Sequence, residues 1–128
     1  STLILRRVPI DGWLGSVAQP IRLRLDIELS LVSTRALRSG RPEDTLDAEE
    51  VVREVREVAR QTRVGVLEQL LCEVASTLLR RFPLRAVQIE GSRAARPEEP
   101  YELTVRVQLD AAALAELDRL DAADRWDD

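Results

Sequence analysis

Residues 66–79 have the sequence VLEQLLCEVASTLL, and this stretch predicts the helix around which the rest of the chain is arranged. At about 100° of rotation per residue, its apolar side chains fall in one arc. The members of this arc are Leu67, Leu70, Leu71, Val74, Ala75, Leu78 and Leu79. The stretch therefore predicts an amphipathic helix that packs on a hydrophobic core.

One acidic residue, Glu68, interrupts this arc, because the same rotation places it between Ala75 and Leu79. A carboxylate turned toward packed surface is costly unless a partner satisfies it. Two interpretations are open at this point. In the first, Glu68 lies at the edge of the stripe, where it reaches water or meets an arginine. In the second, it lies at the foot of a pocket and receives N–H donors from a ligand.

The composition limits the classes of protein to consider. The chain has 128 residues, 45% of them hydrophobic, which is enough for one domain with its own core. The net charge is −4 and the basic residues are interleaved with acids, so we expect no nucleic-acid partner. No apolar run approaches the ~18 residues of a membrane span, so we expect no membrane partner. The single Cys72 cannot form an internal disulfide, which favours a cytoplasmic protein.

The missing residue types are more informative. The chain contains no histidine and no lysine, and its 19 basic residues are all arginine. This composition excludes histidine-based proton transfer and a Schiff-base lysine. A zinc site would have to combine one cysteine with carboxylates, so we expect neither a metal nor a cofactor. Any chemistry must use carboxylates, arginine, hydroxyls and backbone groups.

Four segments predict strands. Ile21–Leu31 alternates apolar and polar residues throughout, as a strand with one buried face does. Thr2–Ile10 predicts a strand before it, and Arg85–Glu90 and Tyr101–Asp110 predict two strands near the end of the chain. Residues 91–100 are predicted to form a hairpin-like connection.

A further helix is predicted to start at Asp47, an N-cap residue with Glu50 three positions later. It precedes the helix that contains Glu68, which is predicted to end before Pro83. Together the segments predict an α+β fold, with a four-stranded antiparallel sheet in the order ββααββ and two helices on one face. We expect a domain over residues 1–110, followed by a C-terminal helix and acidic tail over 111–128. The open sheet edges predict an oligomer.

Several motifs in this order resemble the dihydroneopterin aldolase family, over a region from about Leu3 to Asp110. They are the segment DGWLG at residues 11–15, Gln19 before the alternating strand, DTLD at 44–47, Leu67-Glu68 with Leu70 and Ala75, and Phe82-Pro83. The resemblance implies the tunnelling fold (T-fold). It also implies a homo-tetramer whose sheets close a barrel, or a homo-octamer of two stacked rings.

The resemblance further implies a pocket for a pterin-like small molecule between subunits. In the family, the counterpart of Glu68 binds the guanidine-like N–H edge of the pterin. Backbone groups near Leu67, Asp47 and Ala48 contribute to the same pocket. A carboxylate that accepts two N–H bonds from a planar edge makes a bidentate, charge-assisted contact.

The chain departs from the family at the positions that handle protons. The family's aldolase cleaves 7,8-dihydroneopterin to a hydroxymethyl-dihydropterin and glycolaldehyde, using a lysine, a tyrosine and a loop glutamate. Here the lysine position falls near Gly91, with Arg93 close by, and the tyrosine position is Ala48. The loop that carries the glutamate is reduced to Ser16-Val17-Ala18. Arginine stays protonated and cannot act as a base.

Three hypotheses follow. The first is a divergent family member of pterin or folate metabolism that binds a pterin-like heterocycle through Glu68 and is weak or inactive as an aldolase. The second is an active carbon–carbon lyase in which Arg93, or a chain of waters, replaces the lysine. The third is a structural or regulatory oligomer of the same fold, in which Glu68 only pairs with an arginine.

Overall fold

The computed structural model describes residues 1–32, 38–41 and 46–126. Of the predicted segment DTLD, Asp44 and Thr45 lie outside the described residues, as does the end of the acidic tail. In chain order the elements are β1 (Thr2–Leu14), β2 (Ile21–Leu31), α1 (Ala48–Gln61), β3 (Arg63–Val64), α2 (Leu67–Arg81), β4 (Leu84–Arg93), β5 (Leu103–Asp110) and α3 (Ala111–Trp126).

The strands form one sheet in the order β3-β1-β2-β4-β5. The pairs β1–β2, β2–β4 and β4–β5 are antiparallel, which confirms the predicted α+β class and T-fold. The sheet has one strand more than predicted, because β3 pairs in parallel with the end of β1 through Trp13 and Arg63. A strand of two residues is too short to be recognised from the periodicity of the sequence. The Arg63 guanidinium also lies 4.2 Å from the centre of the Trp13 ring.

The strand β2 is the centre of the sheet, and its side chains alternate between a buried and a more exposed face, as predicted. One set of side chains is fully or almost fully buried under α1 and α2, and Arg22, Arg24 and Glu28 of the other set are exposed. The buried set is Leu23, Leu25, Ile27 and Leu29. Burial of apolar area on this face supplies the main driving force for folding.

The helix α1 begins, and the helix α2 ends, where the sequence predicts. The Asp47 side chain caps α1 by accepting a hydrogen bond from the Glu49 backbone N–H at 3.0 Å. The helix α2 ends at Arg81, and the Phe82 N–H still donates to the Leu78 carbonyl at 3.0 Å. Pro83 then stops the helix because it has no N–H to donate.

Two strands are longer than predicted, because glycines at their ends lie within the sheet. The predicted ends were Ile10 for β1 and Glu90 for β4, but the strands continue to Leu14 and Arg93. A Cβ added at Gly12 would lie 3.0 Å from Leu70 Cδ2 of α2, and one added at Gly91 would lie 3.0 Å from Leu71 Cδ2 of the same helix. These glycines therefore mark close contacts between helix and sheet, and not turns.

The C-terminal helix α3 follows β5 directly, and Asp110 accepts a hydrogen bond from the Ala113 N–H at 2.8 Å. Its residues Leu114 and Leu117 are half-buried against the core. An ion pair of 2.5 Å between Arg80 and Asp118 ties α3 to α2. Neither α3 nor another helix in the described part of the chain has the length and apolar character needed to cross a membrane.

The contact between Gly91 and Leu71 gives a stability prediction. We expect Gly91→Ala to lower the free energy of unfolding by about 1–3 kcal/mol, the usual cost of overpacking a core. Gly65→Ala is the matched control, because the nearest atom to an added Cβ there is Gln69 Oε1 at 4.0 Å. Chemical denaturation of both variants measures the difference. Equal stability of the two would contradict the close packing at Gly91.

Candidate functional site

A cleft of about 600 Å³ opens at the end of the sheet where α2 begins. Three parts of the chain line it: the end of β1 with the turn that follows, the segment 65–68, and the connection from β4 to β5. Its apolar lining includes Leu14, Val17, Ile21 and Leu103, and its ionisable residues are Glu68, Arg93, Arg96 and Glu99. The site therefore combines an apolar wall with two carboxylates and two guanidinium groups.

Glu68 is the second residue of α2, and its side chain is exposed at this cleft. Although helical rotation places Glu68 within the apolar arc, its side chain lies at the edge of the packed surface and is exposed. Leu67 beside it is 3% exposed and carries the packing instead. Within residues 1–32, 38–41 and 46–126, the Glu68 carboxylate has no hydrogen bond and no ion pair.

The start of α2 adds hydrogen-bond donors beside this carboxylate. The N-cap residue is Val66, whose side chain cannot accept a hydrogen bond from the first turn. The first N–H groups of a helix have no partner within the helix and carry a partial positive charge. This corner of the cleft therefore offers a carboxylate acceptor beside backbone N–H donors.

The connection between β4 and β5 contributes a second charged group, an arginine–glutamate–arginine cluster of Arg93, Glu99 and Arg96. Arg93 is only 6% exposed, because it continues the inward-facing series of β4. Its Nη2 donates a hydrogen bond to Glu99 Oε2. Arg96 Nη2 lies 3.2 Å from the same oxygen.

The backbone holds this cluster in place. The N–H of Arg96 donates to the Glu99 carbonyl at 2.8 Å, and the N–H of Glu99 donates to the Arg96 carbonyl at 3.0 Å. Hydrogen bonds from Arg96 and Arg93 hold the pKa of Glu99 below its ordinary value. Glu99 is therefore ionised at neutral pH and acts as an acceptor.

The cluster leaves donors unused. Arg93 Nη1 and Arg96 Nε are buried and have no hydrogen-bond partner in the described part of the chain. Arg96 is also within ion-pair distance of a second carboxylate, because its Nε lies 3.6 Å from Glu98 Oε1, so two guanidinium groups face two carboxylates. Among the described residues the cleft thus has two polar groups of opposite character, an unpaired acceptor at Glu68 and unused N–H donors at Arg93 and Arg96.

The other predicted site residues lie elsewhere in a single chain. Asp47 caps α1, and Ala48 lines a different cleft with Val52 and Arg53. Only Glu68 and Leu67 of the predicted binding set, with the predicted candidate Arg93, meet in one cleft. Among the described residues, no group of three or more histidine, cysteine, aspartate or glutamate side chains is placed to hold a metal ion.

Sequence analysis missed Glu99 and Arg96 and placed Arg93 in a loop. One signal was available for Arg93, since Val87, Ile89 and Gly91 share its parity along β4 and point to the core. No local signal identifies Glu99, because its position depends on the backbone turn between Arg96 and Glu99. A run of charges in a connection resembles an ordinary solvated loop.

The lowered pKa of Glu99 gives a pH prediction. We expect Glu99→Gln to lower the free energy of unfolding at neutral pH, because it leaves the buried Arg93 charge without its carboxylate. Wild-type Glu99 stabilises the fold fully above the unfolded-state pKa of about 4.3, and this contribution is lost as the pH falls through the lower folded-state value. The difference between the two proteins should therefore shrink below about pH 4.

Urea denaturation over a pH series measures this difference. Glu98→Gln is the matched control, because the Glu98 side chain is 66% exposed and lies 3.6 Å from Arg96 Nε. A Glu99→Gln variant as stable as Glu98→Gln at neutral pH would show that the cluster does not support the fold.

Comparison with known proteins shows which family and which solved structures this chain is similar to. The sequence profile of the FolB dihydroneopterin aldolase family matches residues 16–110. A structure of Escherichia coli dihydroneopterin aldolase in complex with neopterin superposes with a TM-score of 0.74 at 20% identity, covering 85% of this chain and 98% of that chain. A putative dihydroneopterin aldolase from Vibrio cholerae gives a TM-score of 0.75 at 22% identity, with coverage of 86% and 97%.

A third similar structure is a dihydroneopterin aldolase from Burkholderia thailendensis bound to guanine, with a TM-score of 0.65 at 18% identity and coverage of 86% and 90%. No curated protein sequence matches the chain. The sheet, the helices on one face and the matched solved structures define a T-fold protein. The chain belongs to the dihydroneopterin aldolase family, since the family profile covers most of its length. The resemblance carried by its sequence motifs is thereby confirmed.

Proposed function

We propose that this protein binds a pterin-like heterocycle through Glu68, at an interface between its own subunits, and that its retro-aldol cleavage of 7,8-dihydroneopterin is slow or absent. The observation that carries the proposal is the exposed Glu68 carboxylate, unpaired among the described residues, beside the uncapped start of α2. An unpaired acceptor next to free backbone donors complements an amidine-like edge.

The size and lining of the cleft support a bicyclic ligand. Its volume of about 600 Å³ lies in the usual range of small-molecule pockets. The half-buried side chains of Leu14, Ile21 and Leu103 offer apolar contacts to a flat ring. Neopterin and guanine, the molecules in the Escherichia coli and Burkholderia structures, both present adjacent N–H groups on an aminopyrimidinone ring.

The ionisable groups of the cleft argue against efficient carbon–carbon cleavage. Removal of a proton from the substrate hydroxyl and its delivery to the ring need groups that exchange protons near neutral pH. Arg93 and Arg96 stay protonated. Glu99 is a weak base, because its two arginines lower its pKa. The single tyrosine, Tyr101, is 56% exposed and lies outside the cleft lining.

The binding half of the proposal is tested by titration with hydroxymethylpterin. We expect saturable binding, and we expect Glu68→Ala to weaken it roughly tenfold to a hundredfold, because hydrogen bonds to a charged group contribute about 1.5–3 kcal/mol. Glu73→Ala is the matched control, since Glu73 is exposed on the polar side of the same helix. Equal binding by the two variants would show that Glu68 is not the anchor.

The catalytic half is tested with 7,8-dihydroneopterin as substrate. We expect glycolaldehyde release to stay near the uncatalysed rate. Efficient turnover that is lost in Arg93→Ala would instead support an active lyase that depends on Arg93.

The oligomeric part of the proposal rests on the two edges of the sheet. In the described residues, β1 is unpaired from Thr2 to Gly12 on the side away from β2, and β5 is unpaired on the side away from β4. Long open edges pair readily with another chain. We propose that β1 of one copy pairs with β5 of the next to close a homo-tetramer, or a homo-octamer of two rings. Asp47 and Ala48 then contribute to the cleft of the neighbouring copy.

The mass of the purified protein in solution tests this assembly. We expect four or eight times the mass of the 14.4 kDa chain by light scattering. Ile4→Lys should weaken assembly, because Ile4 is 46% exposed on the open part of β1. Leu120→Lys should not, although Leu120 is 48% exposed on α3. A monomeric wild type would contradict the proposed interface.

A further inference from the structure

The arginine–glutamate–arginine cluster differs from an ordinary surface ion pair of the same protein. On the polar face of the sheet, Arg106 donates two hydrogen bonds to Glu90, one guanidinium to one carboxylate. The Arg106 side chain is 62% exposed, so water satisfies its remaining donors. In the cleft, by contrast, two guanidinium groups share Glu99, and the Arg93 side chain is only 7% exposed.

The surplus donors of this cluster point to a missing partner. A buried N–H group without an acceptor is costly. Arg93 Nη1 and Arg96 Nε have no hydrogen-bond partner in the described part of the chain. Arg96 Nε faces Glu98 Oε1 at 3.6 Å, beyond hydrogen-bond distance, whereas Arg93 Nη1 belongs to a side chain that is only 7% exposed. An anionic group of a ligand supplies an acceptor for these donors. Both arginines line the same cleft as Glu68, so one ligand that fills the cleft meets all three residues.

We infer that the ligand of this cleft is a pterin-like heterocycle with an anionic substituent, a phosphate or a carboxylate, and that Arg93 and Arg96 bind that substituent. The inference rests on the proposed function, because Glu68 holds the ring while the arginines hold the substituent. Guanidinium groups recognise both oxyanions through paired N–H donors. Glu99 keeps the two arginines in place and competes with the ligand for them.

The test compares ligands that share the pterin ring and differ in whether the substituent carries a negative charge. Hydroxymethylpterin and 6-carboxypterin form one pair, and neopterin and neopterin monophosphate form another. Each is titrated against the full chain by isothermal calorimetry. We expect the anionic member to bind at least about tenfold more tightly, the effect of one charge-assisted hydrogen bond. The pair in which the anionic member gains more affinity over its neutral partner identifies the substituent as carboxylate or phosphate. Inorganic phosphate should compete with the anionic members.

Variants separate this role from a purely structural one. Arg96→Gln should weaken binding of the anionic member more than binding of the neutral member, and so reduce the advantage of the anionic member. Glu99→Gln should increase the advantage, because it removes the competing carboxylate from the two arginines. Arg106→Gln, on the polar face, should change neither affinity. A structural role alone predicts that Arg96→Gln and Glu99→Gln affect both members of a pair equally.

The outcomes distinguish this inference from the proposed function. If the neutral member binds and the anionic member does not bind more tightly, the inference of an anionic substituent is contradicted. The proposed role of Glu68 is then unaffected. An advantage that neither Arg96→Gln nor Glu99→Gln alters also overturns it. If no member of either pair binds, both the proposed function and this inference fail.

Discussion

The packing of α2 against the centre of the sheet is the contact on which the remaining structure depends. Leu71 of α2 lies over Gly91 of β4 and beside Leu25 of β2, where the absence of a side chain at Gly91 permits the close approach. In the first turn of α2, Leu67 is buried while Glu68, one residue later, reaches the cleft. Among the described residues the Glu68 carboxylate has no polar partner, so its position follows from the apolar packing of the helix that carries it.

The two glutamates of the cleft show how surroundings assign different roles to one residue type. Glu99 is held by two arginines and a tight backbone turn, so its Oε2 oxygen is already occupied. Glu68 lies at a helix start without a partner among the described residues. The two carboxylates therefore differ in the number of neighbouring guanidinium groups, although both line one cleft.

The parts of the structure that depend on local periodicity could be predicted from the sequence. The alternation of Ile21–Leu31 defined β2, and Asp47 was correctly identified as the cap of α1. The remaining features depend on contacts between distant segments. Gly91 lies within a strand because Leu71 needs the space, and Glu99 enters the cleft because a backbone turn places it there. Helical rotation placed Glu68 on the apolar arc, but could not show that its side chain is exposed at the cleft while Leu67 beside it is buried.

The composition of the cleft has a consequence for how binding responds to acidity. Arginine keeps its charge over the whole physiological range, and Glu99 stays ionised because its pKa is lowered. The chain has no histidine that could titrate near neutrality. The charge that Arg93, Arg96 and Glu99 contribute to the cleft is therefore constant from mildly acidic to mildly alkaline solution. A change of affinity over that interval does not originate in this cluster, which acts as a fixed electrostatic background for a bound molecule.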